Sequence, residues 1–139
     1  MSSARLYRAA SIVLLLFAAG HTYGFRKVDP RWNADATVAA MKTTFQVQGV
    51  TRGYWDFFSG FGFFATGLLL FCAVLAWELG GLPAEVLKRL KLVRWAFAAC
   101  FAAMAVITWF YIFPVATSFA ALAALILLLA AWQSDSAMA

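Results

Sequence analysis

Four long apolar stretches dominate the chain, and its polar positions fall between them. The stretches run over about residues 6–23, 54–77, 85–113 and 115–132. Each supplies close to the roughly 20 apolar residues that a helix needs to cross a bilayer. The pattern predicts an all-α protein, an integral membrane four-helix bundle in which residues 1–139 form a single transmembrane domain. Gly80 and Gly81 break the chain after the second span. Pro83 suits the first turn of the third, whose opening part, Glu85 to Arg94, is basic and interfacial. Pro114 ends the third span, because proline lacks the N–H that a continuing helix needs. The turn that follows is so tight that spans three and four must be antiparallel neighbours. Arg5 and Arg8 before a short apolar run, with Ala18, Ala19 and Gly20 after it, resemble a signal peptide. The stretch is expected to remain as the first helix.

Only the first loop, roughly residues 25–53, is long. Asn33 is placed to cap a short helix there. Val38, Met41 and Phe45 recur at helical spacing, which predicts a surface helix over about 33–47, lying on the membrane or over the bundle mouth.

Composition sharpens the picture. The chain is 65% hydrophobic and 12% charged, with a mean hydropathy of +0.83. Soluble domains carry about 45–50% apolar and about 25% charged residues, so no separate soluble domain fits. A net charge of +5 does not point to nucleic acid, because the basic residues border apolar spans, where topology and lipid headgroups explain them. With the N-terminus inside, six basic residues (Arg5, Arg8, Lys88, Arg89, Lys91, Arg94) face five (Arg26, Lys27, Arg31, Lys42, Arg52). The short, densely basic second loop favours cytoplasmic N- and C-termini in a bacterial inner membrane. Tryptophans 32, 55, 77, 95, 109 and 132 lie near span ends, as in an aromatic belt.

Apolar burial cannot hold helices together in lipid, so small residues must let them approach. Gly53, Gly60 and Gly67 recur every seven residues, and Ala116, Ala120 and Ala124 every four, as do Ala99 and Ala103. These are expected packing seams, either within the bundle or toward a membrane-protein partner or a second copy. Cys72 and Cys100 lie inside spans without CxxC or Cys/His spacing and read as small apolar filler.

Antiparallel spans bring the notable polar residues to the first-loop side. Asp56 falls on the Gly53/Gly60 face, and an ionisable group at that depth needs a partner or water. His21, the only histidine, lies one turn inside the end of span one. Cys100, Met104, Thr108 and Tyr111 follow helical spacing toward the same cluster. One reading is a pocket with a His21–Asp56 or Arg52–Asp56 pair that holds a polar headgroup or moves a proton. The other is structural: Asp56 caps the second span and pairs with Arg52, while His21 bonds a backbone carbonyl. One histidine excludes bis-histidine haem, and the histidine and cysteine ligands are too few and scattered for zinc. No phosphate loop or nucleophile elbow occurs.

Two stretches carry a resemblance: His21-Thr22-Tyr23-Gly24-Phe25, and Phe45-Gln46-Val47-Gln48-Gly49 followed by Asp56-Phe57-Phe58-Ser59-Gly60-Phe61-Gly62. Together they resemble a bacterial family of small four-span inner-membrane proteins. That resemblance implies the fold and no activity. In architecture the chain is also similar to DoxX-like and emopamil-binding-protein-like bundles. The latter are sterol isomerases that use paired acidic residues and a histidine within the membrane, whereas this chain has no acidic residue in mid-span.

Three functions follow. The first is binding of a lipophilic molecule (lipid, quinone or isoprenoid-like), with His21, Arg52, Asp56, Thr108 and Tyr111 at its polar end and Phe57, Phe61, Phe64 and Trp109 along its tail. An enzyme would be a special case of this. The second is an accessory subunit of a larger membrane complex, using the Gly and Ala seams. Transport ranks third, because small multidrug-type proteins rely on a carboxylate in the first span and none occurs there.

Overall fold

The computed structural model describes residues 2–136. In chain order the elements are α1 (Ser3–Phe25), a 3₁₀ turn (Pro30–Trp32), α2 (Asp35–Met41), β1 (Thr44–Val47), β2 (Val50–Gly53), α3 (Tyr54–Leu79), α4 (Ala84–Arg89), α5 (Lys91–Tyr111) and α6 (Pro114–Ser136). Helices α1, α3, α5 and α6 are long and apolar enough to cross a membrane. Even the 21 residues of α5 extend about 32 Å, which matches a hydrocarbon core of about 30 Å. This is an all-α membrane bundle.

The element ends have local causes. Leu90, at φ −86° and ψ 26°, separates the short basic α4 from α5. The third span therefore starts at Lys91 rather than 85. It stops at Tyr111 rather than 113, because the residue before a proline is pushed out of the helical region. Pro114 then opens α6, where its missing N–H costs nothing.

The contacts divide the chain into two compact units, with boundaries inside α1 and α3. One comprises residues up to Phe17 together with those from Leu69 onward; the other is Ala18–Leu68.

In the first unit, parts of all four spans bury one face each. α1 contributes Tyr7, Ala10, Leu14 and Phe17, α3 contributes Leu69, Ala73 and Ala76, and α5 contributes Phe97, Ala98 and Phe101. α6 lays Ala120, Ala123, Ala124, Leu127, Ala130 and Ala131 against α5. The alanines let the backbones come close, as the seam at Ala116, Ala120 and Ala124 anticipates; Ala116 is half-buried. Ala99 and Ala103 are exposed, so the buried face of α5 is a different one. Phe17 stacks on Phe119, with ring centroids 5.4 Å apart, tying α1 to α6. Gly80 is buried against the carbonyl of Ala4 and the stem of Arg8, whose guanidinium lies over the Trp77 ring.

In the second unit, the end of α1 packs on the start of α3, and the first loop is only partly helical. The expected helix over 33–47 stops at Met41. Phe45 belongs to β1, which pairs antiparallel with β2 through Thr44↔Gly53 and Val47↔Val50. Gln48 (φ 50°) and Gly49 (φ 82°) form the two-residue turn. Two positive φ values in succession match the right-handed twist of the strands. A valine at Gly49 is expected to cost the hairpin about 1–2 kcal/mol, read as faster amide exchange at residues 44–53 with the spans unchanged. Asn33 does not cap α2. It closes the 3₁₀ turn in the left-handed conformation, and α2 starts after Ala34 with no side-chain cap. Asp29 caps that turn, and the guanidinium of Arg31, helped by its backbone N–H, holds the Asp29 carboxyl below the usual carboxylate range.

Gly53 is buried within this unit: a Cβ there would stand 2.9 Å from the Met41 carbonyl oxygen. Gly60 and Gly67 differ, because a Cβ at either would meet no atom of the described residues within 4 Å. Among the described residues they form no seam within this unit. The close approach of α1 and α3 is at Gly62, where a Cβ would come within 2.6 Å of the Phe25 ring.

Candidate functional site

The polar residues expected to converge are each engaged separately. Asp56, in the first turn of α3, accepts the Gly53 N–H at 2.8 Å, so its carboxylate caps the positive end of the helix. Arg52 donates to the Thr51 carbonyl at 2.7 Å and forms no ion pair with Asp56. His21 Nε2 lies 3.1 Å from the Gly62 carbonyl oxygen. A carbonyl only accepts, so the proton resides on Nε2. The His21–Asp56 pair is absent for a geometric reason: Gly62 is six residues further into α3 than Asp56, about 9 Å along the axis.

Around His21 the second unit has a polar seam that the sequence reading missed. Thr66 donates to the same Gly62 oxygen at 3.1 Å and lies 2.9 Å from the hydroxyl of Thr22, which donates to Ala18 O at 2.7 Å. The Phe25 ring covers the imidazole at 5.2 Å and meets Phe63 edge-on at 5.1 Å. These hydroxyls and the imidazole satisfy one another and the backbone, which is what lets polar side chains lie in a span. Phe57 clusters with Phe45 and Tyr54, and Phe61 is 73% exposed.

The first unit holds the remaining expected residues. Thr108 is buried, but its hydroxyl donates to its own helix at Met104 O (2.9 Å). Tyr111 is 80% exposed. Trp109 instead forms a wall of an open groove of about 310 Å³ between the end of α5 and the start of α6, lined by Ala105, Val106, Trp109, Phe110 and Thr117. Four of the five lining residues are apolar. The fifth, Thr117, has a buried hydroxyl with no hydrogen-bond partner. Thr22, Thr66, Ser118 and Ser134 all donate to the carbonyl four residues earlier. Thr117 does not; the carbonyl four residues before it, Phe113 O, accepts the N–H groups of Ala116 and Thr117. A buried polar group left unpaired costs about 1–3 kcal/mol, so its persistence asks for an explanation.

The other end of this unit is not plain. Arg94, expected at the interface, is 0% exposed. It donates to Ala131 O at 2.7 Å and to Asp135 at 2.6 Å. The Trp95 indole donates to the other Asp135 oxygen at 3.0 Å. The fully buried Tyr7 hydroxyl and Arg94 Nε, like the Thr117 hydroxyl, have no hydrogen-bond partner among the described residues. The bonds of Arg94 and Trp95 to Ala131 and Asp135 join α5 and α6 and read as a structural clasp.

Cys72 and Cys100 are unbridged, and among the described residues no group of three or more histidine, cysteine, aspartate or glutamate side chains is placed to hold a metal. Comparison with protein-family models, curated proteins and solved structures found no match.

Proposed function

We propose that this protein binds a lipophilic small molecule that enters sideways from the bilayer into the groove between α5 and α6. The observation that carries the reading is the apolar groove itself, open to the side and lined by Ala105, Val106, Trp109, Phe110 and Thr117. Its volume lies at the lower end of the roughly 300–1,000 Å³ typical of small-molecule sites, which are mostly apolar with a few polar groups. Lipids, quinones and isoprenoid-like molecules suit it, with Trp109 and Phe110 as walls. His21, Arg52 and Asp56 do not line this groove, and one polar atom of each bonds the backbone. We place the protein in a bacterial inner membrane with both termini cytoplasmic, on the strength of the basic α4 connection.

Native mass spectrometry tests the reading on protein extracted in a mild detergent from its own membranes. The wild-type chain should carry an added lipophile mass. Ala105→Phe, which fills the groove, should lose it while remaining helical and monodisperse. A bare wild type, or equal retention by the variant, would defeat the proposal.

A second reading, an accessory subunit of a larger membrane complex, is favoured by one observation: Gly60 and Gly67 sit on α3 with open space before them. In that case Gly60→Leu should release co-purifying subunits, and a chain that migrates alone speaks against it.

A further inference from the structure

We infer that the β1–β2 hairpin is a membrane-interface element that seats on anionic phospholipid headgroups, with Arg52 and Lys42 as its headgroup contacts. It lies wholly within the second unit and does not depend on the groove. Paired strand positions share a face. The register therefore places Phe45, Val47, Val50 and Arg52 on one side of the hairpin, and Thr44, Gln46 and Thr51 on the other. Across the polar side the Gln46 amide donates to the Thr51 hydroxyl at 2.8 Å. On the apolar side Phe45 and Val50 remain exposed. That side runs without a break onto the exposed start of a span: the Phe45 ring lies 5.2 Å from Tyr54 and 6.2 Å from Phe57, both exposed on α3. An apolar face continuous with the lipid-facing surface of a membrane helix is covered by the same bilayer. The cations fit its headgroup layer. Arg52 shares the apolar side and is exposed, so its stem can lie on that surface while the guanidinium reaches the phosphates. Lys42 Nζ stands 5.4 Å over the Trp55 ring and Lys27 Nζ 4.2 Å over the Tyr23 ring, and tryptophan and tyrosine are the aromatics of the membrane interface. Residues 26–52 carry five cations and two carboxylates. The Asp29–Arg31 ion pair neutralises one of each, leaving four cations against Asp35. That imbalance complements an anionic lipid surface, at about fivefold in affinity per cation.

The test uses the full chain in vesicles of mixed phosphatidylcholine and phosphatidylglycerol. Cys72→Ala and Cys100→Ala clear the background, and one fluorophore is attached at Val50→Cys or at Thr51→Cys. A nitroxide near the top of the acyl chain of one lipid class at a time quenches it. The probe at position 50 should be quenched several-fold more than the probe at position 51, because adjacent strand positions face opposite ways. At position 50, spin-labelled phosphatidylglycerol should quench about fivefold more effectively than spin-labelled phosphatidylcholine. Lys42→Gln combined with Arg52→Gln should remove most of that preference. Salt at 1 M, where the screening length falls to about 3 Å, should do the same without any substitution, so it reads the charge with the hairpin intact. Equal quenching at positions 50 and 51 overturns the seating of the apolar side in the bilayer. Equal quenching by the two lipid classes overturns the headgroup contact, and so does a preference that survives the double variant or high salt.

Discussion

Asp135→Ala is expected to be among the most damaging single substitutions in this chain. It removes the carboxylate from a guanidinium that is 0% exposed and leaves Arg94 with the Ala131 carbonyl as its remaining bonded partner. Stranding one member of a buried ion pair costs about 3–5 kcal/mol. The Asp135 side chain keeps 29% exposure, so water can partly replace it, and about 3 kcal/mol is the better expectation. Trp95 loses the acceptor of its indole N–H in the same step. The double variant Arg94→Met/Asp135→Leu should recover most of the loss, because neither charge then remains to be desolvated. Denaturant titration in mixed micelles reads both. A double variant as unstable as Asp135→Ala would mean that packing rather than stranded charge sets the cost.

Gly62→Ala is the second large effect, and its sign is informative. Helix propensity alone favours alanine over glycine by about 1 kcal/mol. Against this, the new methyl would stand 2.6 Å from a Phe25 ring that Phe63, Phe58 and His21 hold in place. Overpacking costs about 1–3 kcal/mol, and any shift of α1 also stretches the His21 bond to Gly62 O. Net destabilisation of about 1–2 kcal/mol is therefore expected. Phe25→Ala combined with Gly62→Ala should be less destabilised than the sum of the two single changes, since the clash vanishes with the ring. Additive effects would show that the two residues do not meet.

Much of this fold is legible in the sequence because a bilayer imposes length and polarity together. The four spans, the break at Gly80-Gly81 and the tight turn at Pro114 follow from apolar run length and proline chemistry; the structure moves the start of the third span by six residues and every other end by four or fewer. The first loop was harder. Val38, Met41 and Phe45 keep helical spacing, yet Thr43, Thr44, Val47, Val50 and Thr51 are β-branched and flank Gln48-Gly49. Gln-Gly is a weaker hairpin signal than Asn-Gly, and the competing helical period hid it.

The site was legible only in part. His21, Asp56 and Arg52 stand out because they are polar near span ends. Sequence spacing says nothing about depth on a neighbouring helix, and a six-residue offset in α3 keeps His21 and Asp56 apart. Arg94 was hidden within a basic run, although it shares a helix face with Phe97, Phe101 and Thr108. Asp135 is the only acidic residue in α6, so a charge in each of two adjacent spans was the available clue. Thr117 counted among the polar residues on the first-loop side, but spacing alone does not show that its hydroxyl is buried without a partner.

Photolabelling tests the assignment of the ligand site most directly. A decyl chain bearing a benzoquinone ring and a diazirine would be cross-linked to the full chain in detergent, with and without excess unlabelled quinone, and the sites mapped by peptide sequencing. Competable labelling concentrated at residues 105–117 is the expected result. Competable labelling around His21 and Asp56 instead, or labelling spread along every apolar face and untouched by competitor, would contradict a ligand site between α5 and α6.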